Sequence, residues 1–288
     1  MADPWATWLL KTRFGGDGDA ERRGLDWLET VRDRVLDGAS INEGHTVLDV
    51  GCGDGLIGRA ALARVGPSGR VIFSDISQDL LDATREQTRA LGQDEASQFL
   101  LASADDLHGV SDKSVDAVTT RSVLIYVENK RRALREFHRV LKPGCRISLA
   151  EPINRFSHDR PGRNQFRGSL LPGLEEVIRR LNDFCVDNRA ECVPMLDFDE
   201  RDLIDLCEEV GFRRIHLDLD IDIGPMAPAS WRGFLESAPN PLVPPLGDVL
   251  KELLSSDELE QFENAMRPQV EGGGGIQRRA MAYLWAVK

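Results

Sequence analysis

The sequence lacks the long apolar run that a membrane helix needs. No stretch of its 288 residues approaches the roughly 20 consecutive apolar residues that span a bilayer. Its start lacks the basic region and long apolar core of a signal peptide, since Asp3 and Pro4 precede a very short apolar patch. The five cysteines are odd in number and irregularly spaced, which is typical of reduced thiols. These absences predict a cytoplasmic protein that does not enter a membrane.

The sequence also has fewer basic than acidic residues. The 36 basic residues face 48 acidic ones, which gives a formal net charge of −12. Such a surface repels phosphate backbones, so nucleic acid is not an expected partner. Four arginines nevertheless crowd one polar segment: Arg155, Arg160, Arg163 and Arg167. A solvated charged surface explains them most simply, and binding of an anionic group on a ligand is the functional alternative.

The most informative stretch is Val47–Gly55, in which an apolar strand delivers Asp49 into a turn of alternating glycines. A helical pattern follows over residues 56–65. Glycines adopt positive φ and let a ligand touch the main chain, and the N-terminus of the next helix directs its N–H groups at that ligand. We therefore predict a nucleotide-cofactor cradle, in which Asp49 either orders the loop or receives a cationic group.

Two further apolar runs add candidate ligand contacts. Residues 70–75 predict a strand that ends in Asp75, about twenty residues beyond the loop, from where a carboxylate can accept both ribose hydroxyls. Ile76 would then lie against the adenine. A third strand over residues 98–102 leads into polar groups that could contact the adenine edge: Ser103, Ala104 and Asp105.

The next segment predicts a strand, a helix and another strand. The strands cover residues 114–122 and 146–150, and the second ends at Glu151. Between them an amphipathic helix carries Leu134, Phe137, His138 and Leu141 on one side. Lys142, Pro143 and Gly144 are expected to stop this helix.

This ordered series, from about Thr46 to Pro152, resembles the class I S-adenosylmethionine-dependent methyltransferases of the small-molecule type. More distantly it is similar to ubiquinone/menaquinone and arsenite methyltransferases. The loop glycines also fit the dinucleotide fingerprint of dehydrogenases. Dehydrogenases, however, do not combine an acid two residues before the first glycine, here Asp49, with a helix-to-strand junction such as Arg139–Gly144. The resemblance implies an α/β fold with a Rossmann-like, seven-stranded, mostly parallel sheet, helices on both faces and helical lid insertions.

The resemblance further implies S-adenosyl-L-methionine as cofactor, S-adenosyl-L-homocysteine as product and no metal. The implied cofactor-binding residues are Asp49, Gly51, Cys52, Gly53, Asp75, Ile76, Ser103, Ala104, Asp105, Arg121, Ser122 and Arg13. The chain departs from many relatives where Ser103 replaces an aspartate after the third strand. The residue that contacts the adenine amino group is therefore either Ser103 or Asp105, and both alternatives stay open.

Three segments lie outside this core. Residues 1–43 predict an N-terminal helical cover, with Asp19 as a helix cap before Leu25, Leu28, Val31 and Val35. Ahead of it, Trp5, Trp8 and Arg13 are candidates to cover the cofactor, with a surface-anchoring aromatic pair as the alternative.

Residues 153–198 and 225–275 predict two insertions over the core of residues 44–152, and we expect them to form a lid over the acceptor. Residues 199–224 predict a core helix capped by Asp199 and an outer strand whose aspartates deter edge pairing. The tetraglycine run, residues 272–275, predicts a mobile hinge or loop. Residues 276–288 predict the final core strand, antiparallel beside the fifth.

Cysteines at places comparable to Cys185 and Cys192 serve arsenite methyltransferases. Arg121, Ser122 and Val123 stand where such a relative would carry another of its cysteines, so we interpret both thiols as packed or incidental.

The chemistry that the resemblance implies is a direct displacement, for which the protein aligns the acceptor and excludes water. An acceptor hydroxyl or ammonium also needs a base, and Glu151, Tyr126 and His158 are the candidates. We expect a small-molecule acceptor, methylated on oxygen or nitrogen or else on carbon, and the question of a homodimer stays open. The alternatives are a protein or tRNA methyltransferase, or a non-catalytic regulatory protein that binds the cofactor.

Overall fold

The computed structural model describes residues 3–158, 165–186 and 194–288, without the side chains of His158, Cys185 and Val186. Within these residues the strands are β1 (Thr46–Val50), β2 (Arg70–Asp75), β3 (Ser97–Leu101), β4 (Val115–Arg121), β5 (Leu141–Pro152), β6 (Gln165–Phe166), β7 (Ser169–Leu170), β8 (Arg213–Pro225) and β9 (Ile276–Val287).

The helices are α1 (Pro4–Thr7), α2 (Gly18–Gly38), α3 (Leu56–Val65), α4 (Gln78–Ala90), α5 (Lys130–Val140), α6 (Arg155–His158), α7 (Glu175–Val186), α8 (Glu200–Val210), α9 (Trp231–Glu236), α10 (Leu246–Leu253) and α11 (Ser256–Gly272). A π-helical turn covers Trp8–Thr12, and a 3-10 turn covers Leu124–Tyr126. Among the described residues, none of the helices combines the length and apolar character needed to cross a membrane.

Seven strands form one sheet in the order β3-β2-β1-β4-β5-β9-β8. The first five run parallel, and β9 pairs antiparallel with β5 from Arg146 opposite Val287 to Pro152 opposite Met281. The predicted Rossmann-like sheet and its antiparallel final strand are confirmed. The carboxyl ends of β1, β2 and β4 therefore meet at one edge of the sheet, where ligands of such folds bind.

The chain divides into two compact units, which we call the sheet unit and the insertion unit. The sheet unit comprises Trp27–Arg155, Pro194–Asp220 and Met281–Lys288, and the insertion unit comprises Met1–Asp26, Phe156–Val193 and Ile221–Ala280. The division falls inside α2, and the predicted cover of residues 1–43 stays a prediction. The lid role of the insertions stays a prediction.

The core of the sheet unit follows from strands that are apolar on both faces. Val47, Leu48 and Val50 of β1 are buried, as expected for a parallel strand covered by helices on both sides. Helix α3 contributes Ala61 and Val65, which are both fully buried. Burying a valine or leucine side chain stabilises the fold by about 1.5–3 kcal/mol, before the cost of conformational entropy.

Helix α5 ends earlier than its sequence predicts. It stops at Val140, and β5 begins at Leu141, so the expected stop signal lies inside the strand. The pairing of β4 with β5 shifts here, because Val115 lies opposite Leu141 whereas Ala117 lies opposite Arg146. The irregularity accommodates Pro143, which has no N–H to donate to a regular strand.

The start of α2 is also corrected. The side chain of Asp17, not that of Asp19, accepts the N–H groups of residues 19 and 20. Hydrogen bonds from the backbone of Ala20 and then Ser230 lower the pKa of Asp17 to about 2. Leu25 is 44% exposed, while Leu28 and the following apolar positions are buried.

The insertion unit has its own apolar core. Aromatic rings form two of its contacts, since Phe166 meets Phe262 edge-on at 5.6 Å and Trp231 stacks on Phe234 at 5.4 Å. The N-terminal segment belongs to this unit, where the indole N–H of Trp8 donates to the carbonyl of Ala238 at 2.9 Å. Helix α7 contributes Val177, Ile178 and Leu181, which are buried in this core.

The tetraglycine run is an ordered helix end in the structure. Gly272 is the last residue of α11, and Gly273 caps it with a φ of 72°. A Cβ on Gly275 would stand 2.6 Å from Oγ of Ser169, so this glycine is required by close packing. The structure thus supplies a packing reason for residues that the sequence assigns to a hinge or loop.

Candidate active site

The loop after β1 is held by backbone conformations that favour glycine. Gly51, Gly53 and Gly55 have φ values of 61°, 57° and 78°. A Cβ on Gly51 would stand only 2.3 Å from Cγ2 of Val123. The loop leads directly into α3, whose first-turn N–H groups have no partner within the helix and are suited to a polar ligand.

Asp75 joins the end of β2 to this loop. Its Oδ2 atom accepts the N–H of Gly53 at 2.9 Å, and its Oδ1 atom accepts that of Ser77 at 2.9 Å. The next residue, Ile76, is 53% exposed and offers an apolar surface beside the carboxylate. The glycine loop and Asp75 therefore fit a ribose-bearing cofactor.

Asp49 orders the loop from beneath. It is 2% exposed, its Oδ2 accepts the N–H of Gly58 at 2.8 Å, and its Oδ1 accepts the hydroxyl of Thr119 at 2.9 Å. Burial raises the pKa of Asp49 to about 7, although these two bonds oppose the rise. Both oxygens are directed at protein groups, which favours the alternative in which Asp49 orders the loop, and its contact with the cofactor stays a prediction.

The end of β3 reaches the same edge of the sheet. The N–H of Ala102 donates to the carbonyl of Asp75 at 2.9 Å, which brings the predicted adenine contacts next to the ribose candidate. The Ser103 hydroxyl donates to Asp105, so the two alternatives are bonded to each other. Ala104 is buried.

The segment after β4 is backbone-strained. Ser122 has a φ of 53°, which non-glycine residues rarely adopt, and its N–H donates to the carbonyl of Ala150 at 2.8 Å. Burial raises the pKa values of Asp49 and Glu151, and the positive charge of Arg121 is among the causes that oppose this rise. Tyr126, a predicted base, lies half-buried at the end of the 3-10 turn that follows.

Glu151 holds this segment in place. It is fully buried, and its Oε1 atom accepts the N–H groups of Val123 at 3.0 Å and Leu124 at 3.1 Å. Its Oε2 atom accepts that of Ile125 at 3.3 Å. Burial raises the pKa of Glu151 to about 7 against these three bonds. The carboxylate is directed at the backbone, and a role for Glu151 as a base stays a prediction.

Several predicted residues have contacts of their own, and their roles at a ligand stay predictions. Arg13 belongs to the insertion unit, where its guanidinium lies 5.5 Å from the Trp8 ring and 5.1 Å from the Phe14 ring. Arg155 pairs with the helix-capping carboxylate of Asp199 at 3.6 Å, and Arg167 packs over Phe234 at 5.0 Å. Outside the described part of the chain lie the side chains of His158 and Cys185 and the whole of Arg160, Arg163 and Cys192.

Buried thiols account for two other cysteines. Burial, together with the charge of Asp49, raises the pKa of the Cys52 thiol well above its ordinary value. Burial also raises the pKa of Cys207 to about 12. Both are packed and unreactive as thiolates at neutral pH.

Sequence reasoning missed two threonines that support the loop. Thr119 donates to Asp49 from the middle of β4, and the Thr84 hydroxyl on α4 donates to the carbonyl of Gly53 at 3.0 Å. Each is a hydroxyl at a buried position of an otherwise apolar face. That pattern is the signal in the sequence, since a buried polar group needs a partner.

The insertion unit contains a cavity of about 920 Å³ between α9, α10, α11 and the N-terminal segment. Trp231 and Leu250 contribute apolar surface to it. Arg232 and Glu236, which both lie on its lining, form an ion pair at 2.7 Å. Its size is within the range of small-ligand pockets.

Comparison with known proteins agrees with this geometry. Residues 48–149 match the model of the family described as "Methyltransferase domain". The uncharacterized 37.1 kDa protein in transposon TN4556 of Streptomyces fradiae is 36% identical over 130 residues, which cover 44% of this chain and 36% of that protein. The ubiquinone/menaquinone biosynthesis C-methyltransferase UbiE of Klebsiella pneumoniae is 28% identical over 188 residues, 63% of this chain and 71% of that protein.

The fold is shared with solved structures. A putative methyltransferase from Bacillus halodurans superposes with a TM-score of 0.54 at 17% identity, covering 89% of this chain and 98% of that one. Residues 48–149 therefore form a class I S-adenosylmethionine-dependent methyltransferase domain, and S-adenosylmethionine is the cofactor of this class. The family resemblance seen in the sequence is confirmed. The chain spans between 36% and 71% of the length of the two curated relatives described here.

Proposed function

We propose that the protein transfers a methyl group from S-adenosylmethionine to a small-molecule acceptor. The observation that carries the proposal is the carboxylate of Asp75 at the end of β2, which accepts the N–H of Gly53 in the glycine loop at 2.9 Å. When bound, the cofactor supplies an electrophilic methyl group on a sulfonium. The glycine loop and Asp75 would hold it, with Ile76 against the adenine and Ser103 or Asp105 at the adenine edge.

The residues of this chain would contribute positioning and exclusion of water. We assign Glu151 a positioning role, because its carboxylate accepts three backbone N–H groups and fixes residues 123–125 against Gly51. Asp49 acts in the same way on the start of α3. Proton removal from an acceptor, where one is needed, then falls to Tyr126 or His158.

Two observations favour a small acceptor over a nucleic acid. The net charge of −12 opposes binding to a phosphate backbone, and the cavity of about 920 Å³ in the insertion unit has the size of a small-ligand pocket. The Klebsiella relative is named as a C-methyltransferase, which supports testing carbon acceptors beside oxygen and nitrogen acceptors.

Calorimetry with S-adenosylmethionine and its demethylated product tests the cofactor. Asp75→Ala should weaken binding by about 1–3 kcal/mol, the range for charge-assisted hydrogen bonds, while Asp79→Ala at an exposed position of α4 should not. Failure of the folded wild-type protein to bind either compound would overturn the proposal.

Mass spectrometry of methylated products from a panel of oxygen, nitrogen and carbon nucleophiles tests the transfer. Turnover that Asp75→Ala lowers is the expected result. Cofactor binding without turnover on any small molecule would contradict it and favour a macromolecular acceptor or a regulatory, non-catalytic role.

A further inference from the structure

A buried lysine begins helix α5 in the sheet unit. Lys130 is only 5% exposed, although a lysine is almost never buried unless its charge is paired. Its place in the helix is also unfavourable, because a cation in the first turn opposes the helix dipole. A lysine at such a position is expected to make contacts that compensate both costs.

The ammonium of Lys130 has three such contacts. Its Nζ atom donates to the carbonyl oxygens of Val127 and Pro194, each at 3.0 Å, and pairs with Oδ1 of Asp197 at 2.6 Å. The ring of Phe198 lies 4.9 Å from the same atom. An ammonium has three N–H donors and no acceptor, so these contacts engage all three donors. The side chain therefore holds protein groups together.

One of these groups belongs to the turn that carries Tyr126. Residues 123–127 form this turn, in which the N–H of Val127 donates to the carbonyl of Leu124 at 3.1 Å. The carboxylate of Glu151 accepts the N–H groups of residues 123–125 at the start of the turn. Two buried charges of opposite sign thus hold its two ends, Glu151 through N–H groups and Lys130 through a carbonyl. Tyr126 lies between these two attachments.

The same ammonium holds a second segment, residues 194–198. The side-chain amide of Asn154, which follows β5, donates to the carbonyl of Met195 at 3.2 Å and holds the segment from another side. Residues 194–198 are therefore tied both to the turn after β4 and to the chain after β5. Ligands of such folds bind at the carboxyl ends of these strands.

We propose that Lys130 is a positioning residue for methyl transfer, which fixes Tyr126 by tying its turn to residues 194–198. The inference rests on the proposed function, in which Tyr126 is a candidate to take a proton from the acceptor. Loss of the ammonium releases the carbonyl of Val127, while Glu151 still holds the start of the turn. Tyr126 then loses its fixed orientation, so that alignment of the acceptor suffers more than cofactor binding.

Fluorine NMR tests whether Lys130 fixes Tyr126. The chain has two tyrosines, Tyr126 and Tyr283, so protein labelled with 3-fluorotyrosine gives two signals, which Tyr126→Phe assigns. Lys130→Met should shift or broaden the signal of Tyr126 and leave that of Tyr283 in place. Asp197→Ala removes a partner that is 36% exposed and should move the same signal less. This second variant decides the question where Lys130→Met does not fold.

Lys142→Met is the matched control. The ammonium of Lys142 also bonds an aspartate, Asp116 at 2.7 Å, but this pair lies near the start of β4, at the opposite end of the strand from Tyr126. The Tyr126 signal should therefore remain as in the wild type. A signal that stays in place in every folded variant of Lys130 and Asp197, or that moves equally in Lys142→Met, would overturn the inference.

Kinetics separate positioning from a purely structural role. In Lys130→Met, kcat/KM for an acceptor found in the product panel should fall about 10²-fold, the size of effect expected from a small misplacement. Calorimetry should show little change in affinity for S-adenosylmethionine. Equal losses of affinity and of kcat/KM would indicate general disruption and contradict the inference. The fluorine signals need no acceptor, so a wild-type protein without turnover contradicts the proposed function alone.

Discussion

Val123 packs against Gly51 so closely that its Cγ2 atom lies 2.3 Å from where a Cβ of that glycine would stand. The backbone of Val123 is in turn bonded to the carboxylate of Glu151. The glycine loop, the segment after β4 and the end of β5 are therefore packed together. A change at any of them should alter cofactor binding.

Gly51→Ala should combine two penalties, one from its positive φ and one from contact with Val123. The first costs about 1–2 kcal/mol and the second about 1–3 kcal/mol. Gly92→Ala is the matched control, because Gly92 has a φ of 69° and nothing within 4 Å of its Cβ position. Urea unfolding should show a larger loss for Gly51→Ala, and adding Val123→Ala should recover only the excess over the control.

Glu151→Gln separates proton transfer from positioning. If Glu151 only positions the loop, the variant should retain turnover within about tenfold and keep the pH profile of the wild type, whereas a general base would lose roughly 10²–10⁴-fold. Glu151→Ala, which removes all three bonds, should weaken cofactor binding as well. A large loss of turnover in Glu151→Gln with unchanged cofactor affinity would restore Glu151 as the base.

Stability should fall as the pH rises through the range in which Glu151 titrates. Its pKa is about 7 in the folded protein against 4.5 ordinarily, so the folded state binds the proton more tightly between these values. The stabilisation is complete below pH 4.5 and is lost by about pH 7, at up to about 3 kcal/mol. We expect the urea midpoint of the wild type, measured at several pH values, to fall relative to that of Glu151→Gln as the pH rises over this window. A constant difference between the two proteins would exclude the raised pKa.

Thr119 and Thr120 are adjacent on β4 and offer a matched pair. Thr119 donates to the buried carboxylate of Asp49, whereas the buried Thr120 hydroxyl has no hydrogen-bond partner among the described residues. Thr119→Val should cost about 1–3 kcal/mol, because it leaves a buried acceptor unsatisfied, and Thr120→Val should be neutral or stabilising. Equal effects of the two substitutions on the free energy of unfolding would contradict this assignment.

The sheet was predictable because its strands carry strong local signals. β1 and β2 are apolar on both faces, and Asp75 ends β2 at the residue that the sequence indicates. The helix cap at Asp199 is likewise a local signal, and it is confirmed.

Contacts between residues far apart along the chain were not predictable. The direction of the Glu151 carboxylate depends on backbone N–H groups 26 to 28 residues earlier. The helix α5 ends before Pro143 and Gly144 because Leu141 pairs with Val115, which is distant along the chain. At the start of α2, Asp17 and Asp19 are both suitable caps by residue type, and the local chain path selects Asp17.

The position of β9 has a consequence for how the protein is made. This strand comes after every other strand and helix along the chain, yet it lies between β5 and β8 in the sheet. On the ribosome, β5 must therefore wait with one edge unpaired through the synthesis of the intervening residues, and β8 has no strand to dock on. Pairs such as Arg146 with Val287 then form late, which slows folding and leaves the nascent chain open to mispairing. A chain halted before Met281 should accordingly depend on chaperones, while release of the last strand completes the sheet in one step.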